Sequence, residues 1–332
     1  MDDDYIMYMN STSSWSVDSS DREDLFWGNT WDKFADNARW AAVVFSCLGL
    51  ILNGTAVAMQ VANFCRRMAT NAGTMVLFLC TVLTFEHASY TAMIIAGKYQ
   101  DPENMSVHYC VADFFVFAFL LFAISWTLVL MMASRVVAAR RPRSEFSLVR
   151  IYWLFEVVIC ILSFLINIYI VVLLHLEARR RGDVTHCPYT HFPYLLYSIL
   201  NTFPGTLVPL IITGVLSCLT CIVRVACGMR SRGGGATVAE PGRTSSRLRI
   251  NVAFIVAAVG TLVITLLNYA VVFAINTGGL LEKLGKVMWV MNVLLTAWTA
   301  LVPVIFFAVI PRVMWPQRIT AANAEITMTT KM

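Results

Sequence analysis

The nine cysteines are the most reactive side chains in this 332-residue sequence, and their surroundings limit what they can do. Cys47, Cys80, Cys160, Cys218 and Cys221 fall inside long apolar runs, and Cys65 and Cys227 stand beside basic segments. Cys110 and Cys187 stand at or beyond the edges of such runs. His108, His186 and His191 are near them, but their spacing fits no recognised metal motif, and loop histidines are usually solvated. No metal and no cofactor is expected. No HExxH or GxSxG segment is present, so neither zinc-assisted nor serine-nucleophile hydrolysis is expected and the chain reads as no enzyme. Four ionisable groups interrupt apolar runs: Glu86, His87, Asp113 and Glu156. Charges are costly in such surroundings and call for a partner or a function. Glu86 suits a ligand pocket or an interhelical hydrogen bond. Asp113 suits a pocket or a water-exposed interface, and Glu86, Asp113, Tyr269 and Asn292 are candidates for one outward-opening pocket. His87 is read first as a structural histidine. Glu156 is read as a buried hydrogen-bonding acid.

The elements that carry these groups follow from the apolar runs. The sequence is 58% hydrophobic and 14% charged, against about 25% charged in soluble domains. Its mean hydropathy is +0.68. Runs near 39–64, 74–97, 109–134, 149–175, 194–223, 250–275 and 286–310 each approach the ~20 residues that a helix needs to cross a bilayer. The fold class is therefore an all-α membrane protein, a seven-transmembrane helix bundle. No basic segment followed by an early apolar core marks a signal peptide, so the first span is expected to act as the insertion signal.

Charge sets the expected orientation. Nine acids precede the first span (Asp2, Asp3, Asp4, Asp18, Asp21, Glu23, Asp24, Asp32, Asp36), against Arg22, Lys33 and Arg39. Arg66 and Arg67, then Arg135, Arg140, Arg141 and Arg143, then Arg224 to Arg249, then Arg312 and Arg318 fall in connectors on one side. Basic loops stay inside, which puts the N-terminus outside and the C-terminus in the cytoplasm. Residues 1–38 form an acidic extracellular tail, 39–311 the transmembrane domain and 312–332 a short cytoplasmic tail. Arg179, Arg180 and Arg181 break the rule in an outside connector. They suit either a solvated charge run or an acidic partner. Glycosylation sequons at Asn10 and Asn104 agree with the orientation, whereas the match at Asn53 lies within a span. Gly233, Gly234, Gly235, Pro241 and Gly242 read as a flexible linker. Only Cys110 and Cys187 are then outside, where disulfides persist. They read as a Cys110–Cys187 bridge, the alternative being two free extracellular thiols.

Seven spans with this cysteine pair resemble the rhodopsin-like (class A) G-protein-coupled receptors. That family carries an Arg 25 positions after the helix-three Cys, and here Cys110 is followed at that spacing by Arg135, in Ser134-Arg135-Val136. Asn53 matches the helix-one Asn, Trp153 the helix-four Trp and Pro209 the helix-five Pro. The helix-seven motif survives as Pro303 and Phe306, with Val302 in place of its Asn. Thr81 stands where helix two usually has Asp, and Leu266-Leu267-Asn268-Tyr269 stands where helix six has Trp-x-Pro-Tyr. This pattern is similar in style to herpesvirus-encoded chemokine-receptor-like proteins. The acidic N-terminus with Tyr5 and Tyr8 also resembles chemokine receptors, whose tyrosines there are sulfated. Two features depart from them. No Cys stands in the N-terminal tail or the last outside loop, and their ligand-contacting Glu maps to Asn292. A chemokine ligand and no ligand at all both stay open.

The resemblance implies signalling through a heterotrimeric G protein, of the Gi class by likeness to chemokine receptors, from a plasma membrane or, for a viral protein, a host cell membrane. Arg135 is the implied G-protein contact, and Arg140, Arg141 and Arg143 offer a basic surface for a G protein or anionic lipid. In the family an Asp beside the Arg and an acid on helix six hold the inactive state. Here Ser134 and the stretch Arg247-Leu248-Arg249 lack both. The family's sodium site needs polar groups that Thr81, Ile124 and Val302 do not supply. Losing interactions specific to one state shifts the equilibrium toward the other, so ligand-independent activity is expected. The alternative is a signalling-silent homologue that works through receptor dimerisation, trafficking or immune evasion. Nucleic-acid binding has no support, because topology already explains the basic clusters.

Overall fold

The computed structural model describes residues 22–66, 68, 70–98, 107–140, 145–180, 199, 201–233, 241–278 and 281–315, some by backbone alone. Among them no strand occurs. The helices are α1 (Arg22–Cys65), α2 (Asn71–Lys98), α3 (Val107–Arg140), α4 (Glu145–Arg180), α5, which runs from a π-helical turn at Phe203–Leu207 into Val208–Gly233, α6 (Pro241–Gly278), α7 (Leu281–Val309) and the short α8 (Pro311–Met314). Seven of them, α1 to α7, are long and apolar enough to cross a membrane. The chain is a multi-pass membrane protein by that measure. The apolar stretches are Asp36–Cys65, Asn71–Met93, Phe114–Ala139, Arg150–Leu173, Phe203–Val223, Leu248–Ala274 and Lys286–Val309.

α3 is the hub and packs on α2, α4, α5 and α6, while α7 closes the bundle by packing on both α6 and α1. Its core face carries Ala118, Leu121, Ile124, Leu128, Met131 and Met132, which meet Met75, Leu79 and Leu83 of α2 and Phe254, Ala258 and Leu262 of α6. α4 lies at the periphery. Ile151, Leu154, Val158, Ile161 and Leu165 are exposed along it, as expected where lipid rather than protein covers a helix.

The helix ends are chemically specified. α1 stops at Cys65, and the Met68 N–H donates back to the Asn63 carbonyl at 2.9 Å. Thr70 then caps α2, its Oγ1 accepting the Gly73 N–H at 3.0 Å, which satisfies one of the open donors of a first turn. Pro303 lies inside α7, and the Pro311 ring opens α8 at its first position, where the missing N–H costs nothing. α8 has few carbonyl partners of its own. Gln60 Nε2 of α1 donates to the Val313 carbonyl at 3.3 Å and Asn63 Nδ2 to the Met314 carbonyl at 3.1 Å. A Cβ on Gly73 would overlap Gln60 Oε1, so the glycine gives this amide its place.

The helices outrun the expected spans in four places. α1 begins at Arg22, well inside the segment read as a tail. α3 continues to Arg140, so Arg135 stands within a helix rather than at its end. Arg179 and Arg180 belong to the last turn of α4 and are exposed, not to a loop. Cations there meet the negative end of the helix dipole, which explains a basic pair at that position without a partner. Gly233 ends α5 while Pro241 and Gly242 sit in the first turn of α6, so the linker shrinks to 234–240. Proline suits a first turn.

Candidate functional site

Arg135 is 7% exposed, which is unusual for arginine and demands partners. Its Nε donates to Asn251 Oδ1 of α6 at 3.2 Å. Its guanidinium carbon lies 5.6 Å from the centre of the Phe254 ring, within cation–π range. Phe254 in turn meets Phe306 of α7 edge to face at 5.8 Å, and both rings are fully buried. One arginine therefore ties α3 to α6, and the paired rings carry the contact to α7. Ser134 does not join them. Its hydroxyl donates to the Met131 carbonyl of its own helix at 2.6 Å.

Sequence reasoning found Arg135 but missed Asn251. The signal was available: between Arg249 and Thr261, Asn251 is the one side chain able to hydrogen bond. A lone amide entering an apolar helix seeks a buried partner, since an unpaired one costs several kcal/mol in hydrocarbon.

The two prolines identified from sequence work by freeing carbonyls. Pro303 has no N–H to donate to Thr299, four residues earlier. Asn53 Nδ2 of α1 donates to that carbonyl at 3.3 Å, and to the Gly49 carbonyl at 3.0 Å. In α5 the Val208 N–H bonds to the Phe203 carbonyl, skipping Pro204. The next donor in π register would be position 209, which is proline. The Pro204 carbonyl is left off the ladder, and Trp126 Nε1 of α3 donates to it at 3.2 Å. Neighbouring helices thus restore what each proline removes. Replacing Trp126 with Phe keeps an aromatic ring against Phe122 and deletes the donor. It should cost about 1 to 2 kcal/mol, read as a lower melting temperature in detergent. An unchanged value would mean that the carbonyl has another donor.

A second polar cluster joins α1, α2 and α7. The Ser46 hydroxyl donates to the His87 carbonyl at 2.8 Å and lies 3.4 Å from His87 Nδ1. The ring is fully buried, near the Thr299 backbone, and Glu86 Oε2 is 3.6 Å from Nδ1. His87 and Glu86 are thus buried side by side. Thr81 turns its hydroxyl to the Leu77 carbonyl at 2.7 Å, and Ile124 and Val302 are buried apolar groups.

Asn268 Nδ2 donates to Asn292 Oδ1 at 2.7 Å, joining α6 to α7. Tyr269 is buried. Leu266 is half-buried. Pro209 and Pro303 are both buried. Glu156 accepts from the Thr127 hydroxyl at 2.7 Å across α3 and α4. Trp153 meets Phe78 edge to face at 4.6 Å.

Asp113, Cys110 and Arg140 lie in α3 with their side chains outside the described residues. Cys187, Arg141, Arg143, Asn10, Asn104, Tyr5 and Tyr8 lie outside them altogether. No group of three or more His, Cys, Asp or Glu able to hold a metal occurs among the described residues. No family model matches the chain, and no curated protein matches it.

Proposed function

We propose that the chain is a divergent rhodopsin-like G-protein-coupled receptor that activates heterotrimeric G proteins without ligand. The observation that carries this reading is that Arg135 bonds across to α6 through the neutral amide of Asn251. A guanidinium bonded to an amide is held less strongly than one bonded to a carboxylate. This bond therefore resists separation of α3 and α6 less than a charged pair would, which favours the state with the helices apart. The aromatic relay through Phe254 and Phe306 supports the same reading, because it couples that separation to α7 by packing alone. Arg135 itself is the G-protein contact, with the basic residues that follow it on α3 and beyond.

The test is G-protein activation in unliganded cells, compared with Arg135→Ala at matched surface level. Basal activation should fall to background in the variant. Equal signals from both proteins would overturn the signalling reading and leave a receptor-like protein that acts through its partners.

A further inference from the structure

Two histidines meet at the end of the bundle where α3 begins. His108 sits in the first turn of α3 and His175 near the end of α4, with ring centres 6.2 Å apart and planes at 55°. His175 Nδ1 lies 2.8 Å from the Val171 carbonyl. A carbonyl only accepts, so Nδ1 carries the proton and Nε2 holds a free lone pair. A ring nitrogen fixed by a backbone carbonyl is the usual support of a metal-binding histidine, because it sets both tautomer and orientation. His108 is exposed and open to solvent.

We propose that His108 and His175 form a two-histidine site for a Zn²⁺-like cation that clamps α3 to α4. Adding a Zn–N bond of about 2.0–2.1 Å to the ring radius puts an ion about 3.2 Å from each ring centre, so rings sharing one tetrahedral ion stand about 5.2 Å apart. The observed 6.2 Å is wider by about 1 Å, which a turn of the exposed His108 side chain toward His175 closes when the ion binds. The platform is firm. Tyr109 donates to the Met93 carbonyl at 2.6 Å, which ties the first turn of α3 to α2. Phe115 of α3 meets Phe164 of α4 edge to face at 5.5 Å, deeper in the same seam. Imidazole pairs suit Zn²⁺, Cu²⁺ and Ni²⁺, whereas Mg²⁺ and Ca²⁺ require oxygen ligands. Two nitrogens leave the remaining positions to water. The site does not depend on receptor function.

The experiment measures melting temperature of the purified full-length protein in detergent, with Zn²⁺ or Mg²⁺ added. Zn²⁺ at micromolar concentration should raise it and Mg²⁺ should not. His108→Asn and His175→Ala should each abolish the rise. Binding of Co²⁺, followed by its visible absorption and displaced by Zn²⁺, gives a second readout if a variant folds poorly. No Zn²⁺ shift and no Co²⁺ spectrum in the native protein would overturn the site. So would variants that respond as the native protein does.

Discussion

Asn251→Asp should reduce ligand-independent G-protein activation about tenfold at matched surface level. The substitution is nearly isosteric, so the carboxylate takes the place of the amide oxygen that already accepts from Arg135 Nε at 3.2 Å. The charge changes, and the amide's NH₂ donor becomes a second acceptor oxygen. Pairing two charges roughly doubles the strength of a hydrogen bond, and a gain of about 1.4 kcal/mol is tenfold in population. The gain exists only while α3 and α6 are together, so it favours that state alone. Asn251→Ala removes the acceptor and should move activity the other way. Desolvation opposes the carboxylate, but the guanidinium it would pair with is already buried beside it. If Asn251→Asp signalled as strongly as the native protein, the Arg135–Asn251 contact would not control activation.

The spans were legible because each depends only on local composition: a run of some twenty apolar residues reads the same in any tertiary context. Asn53, Pro209 and Pro303 were legible as special positions through the resemblance to the rhodopsin-like receptors, whose landmarks they match. Their partners were not. Whether Trp126 reaches Pro204 or Asn53 reaches Thr299 depends on helix rotation, which no single helix encodes. The same holds for α8, whose carbonyls are met by Gln60 and Asn63 from more than 250 positions away. Helix lengths were underestimated where polar residues continue a helix past the hydrocarbon, as in the first turns of α1 and the end of α4. There hydropathy falls while helical hydrogen bonding persists. The grouping of Glu86, Tyr269 and Asn292 rested on depth alone. What Asn292 and Glu86 touch, Asn268 of α6 and the adjacent His87, depends on helix rotation, which depth does not give.

Gly49 is the position where the smallest change should have the largest effect on folding. A Cβ built there would overlap Nε2 and two carbons of the His87 ring. The ring has nowhere to go. Ser46 holds the His87 backbone on one side, Glu86 flanks Nδ1, and the Asn53 amide binds both the Gly49 and Thr299 carbonyls. Gly49→Ala must therefore part α1 from α2, breaking hydrogen bonds in surroundings that offer no water to replace them. Overpacking alone costs about 1 to 3 kcal/mol, and the lost bonds put the total at the upper end or beyond. Melting temperature and surface level should both fall sharply. Gly54→Ala is the control, since a Cβ there meets nothing within 4 Å. It should be neutral or slightly stabilising, as alanine is the better helix former. The decisive variant is the double substitution Gly49→Ala with His87→Ala. Removing the ring removes the clash, so the pair should be more stable than the two separate costs predict, by at least about 1 kcal/mol. Additive costs would mean that α1 and α2 adjust independently of the histidine, and the close contact would not be what holds them together.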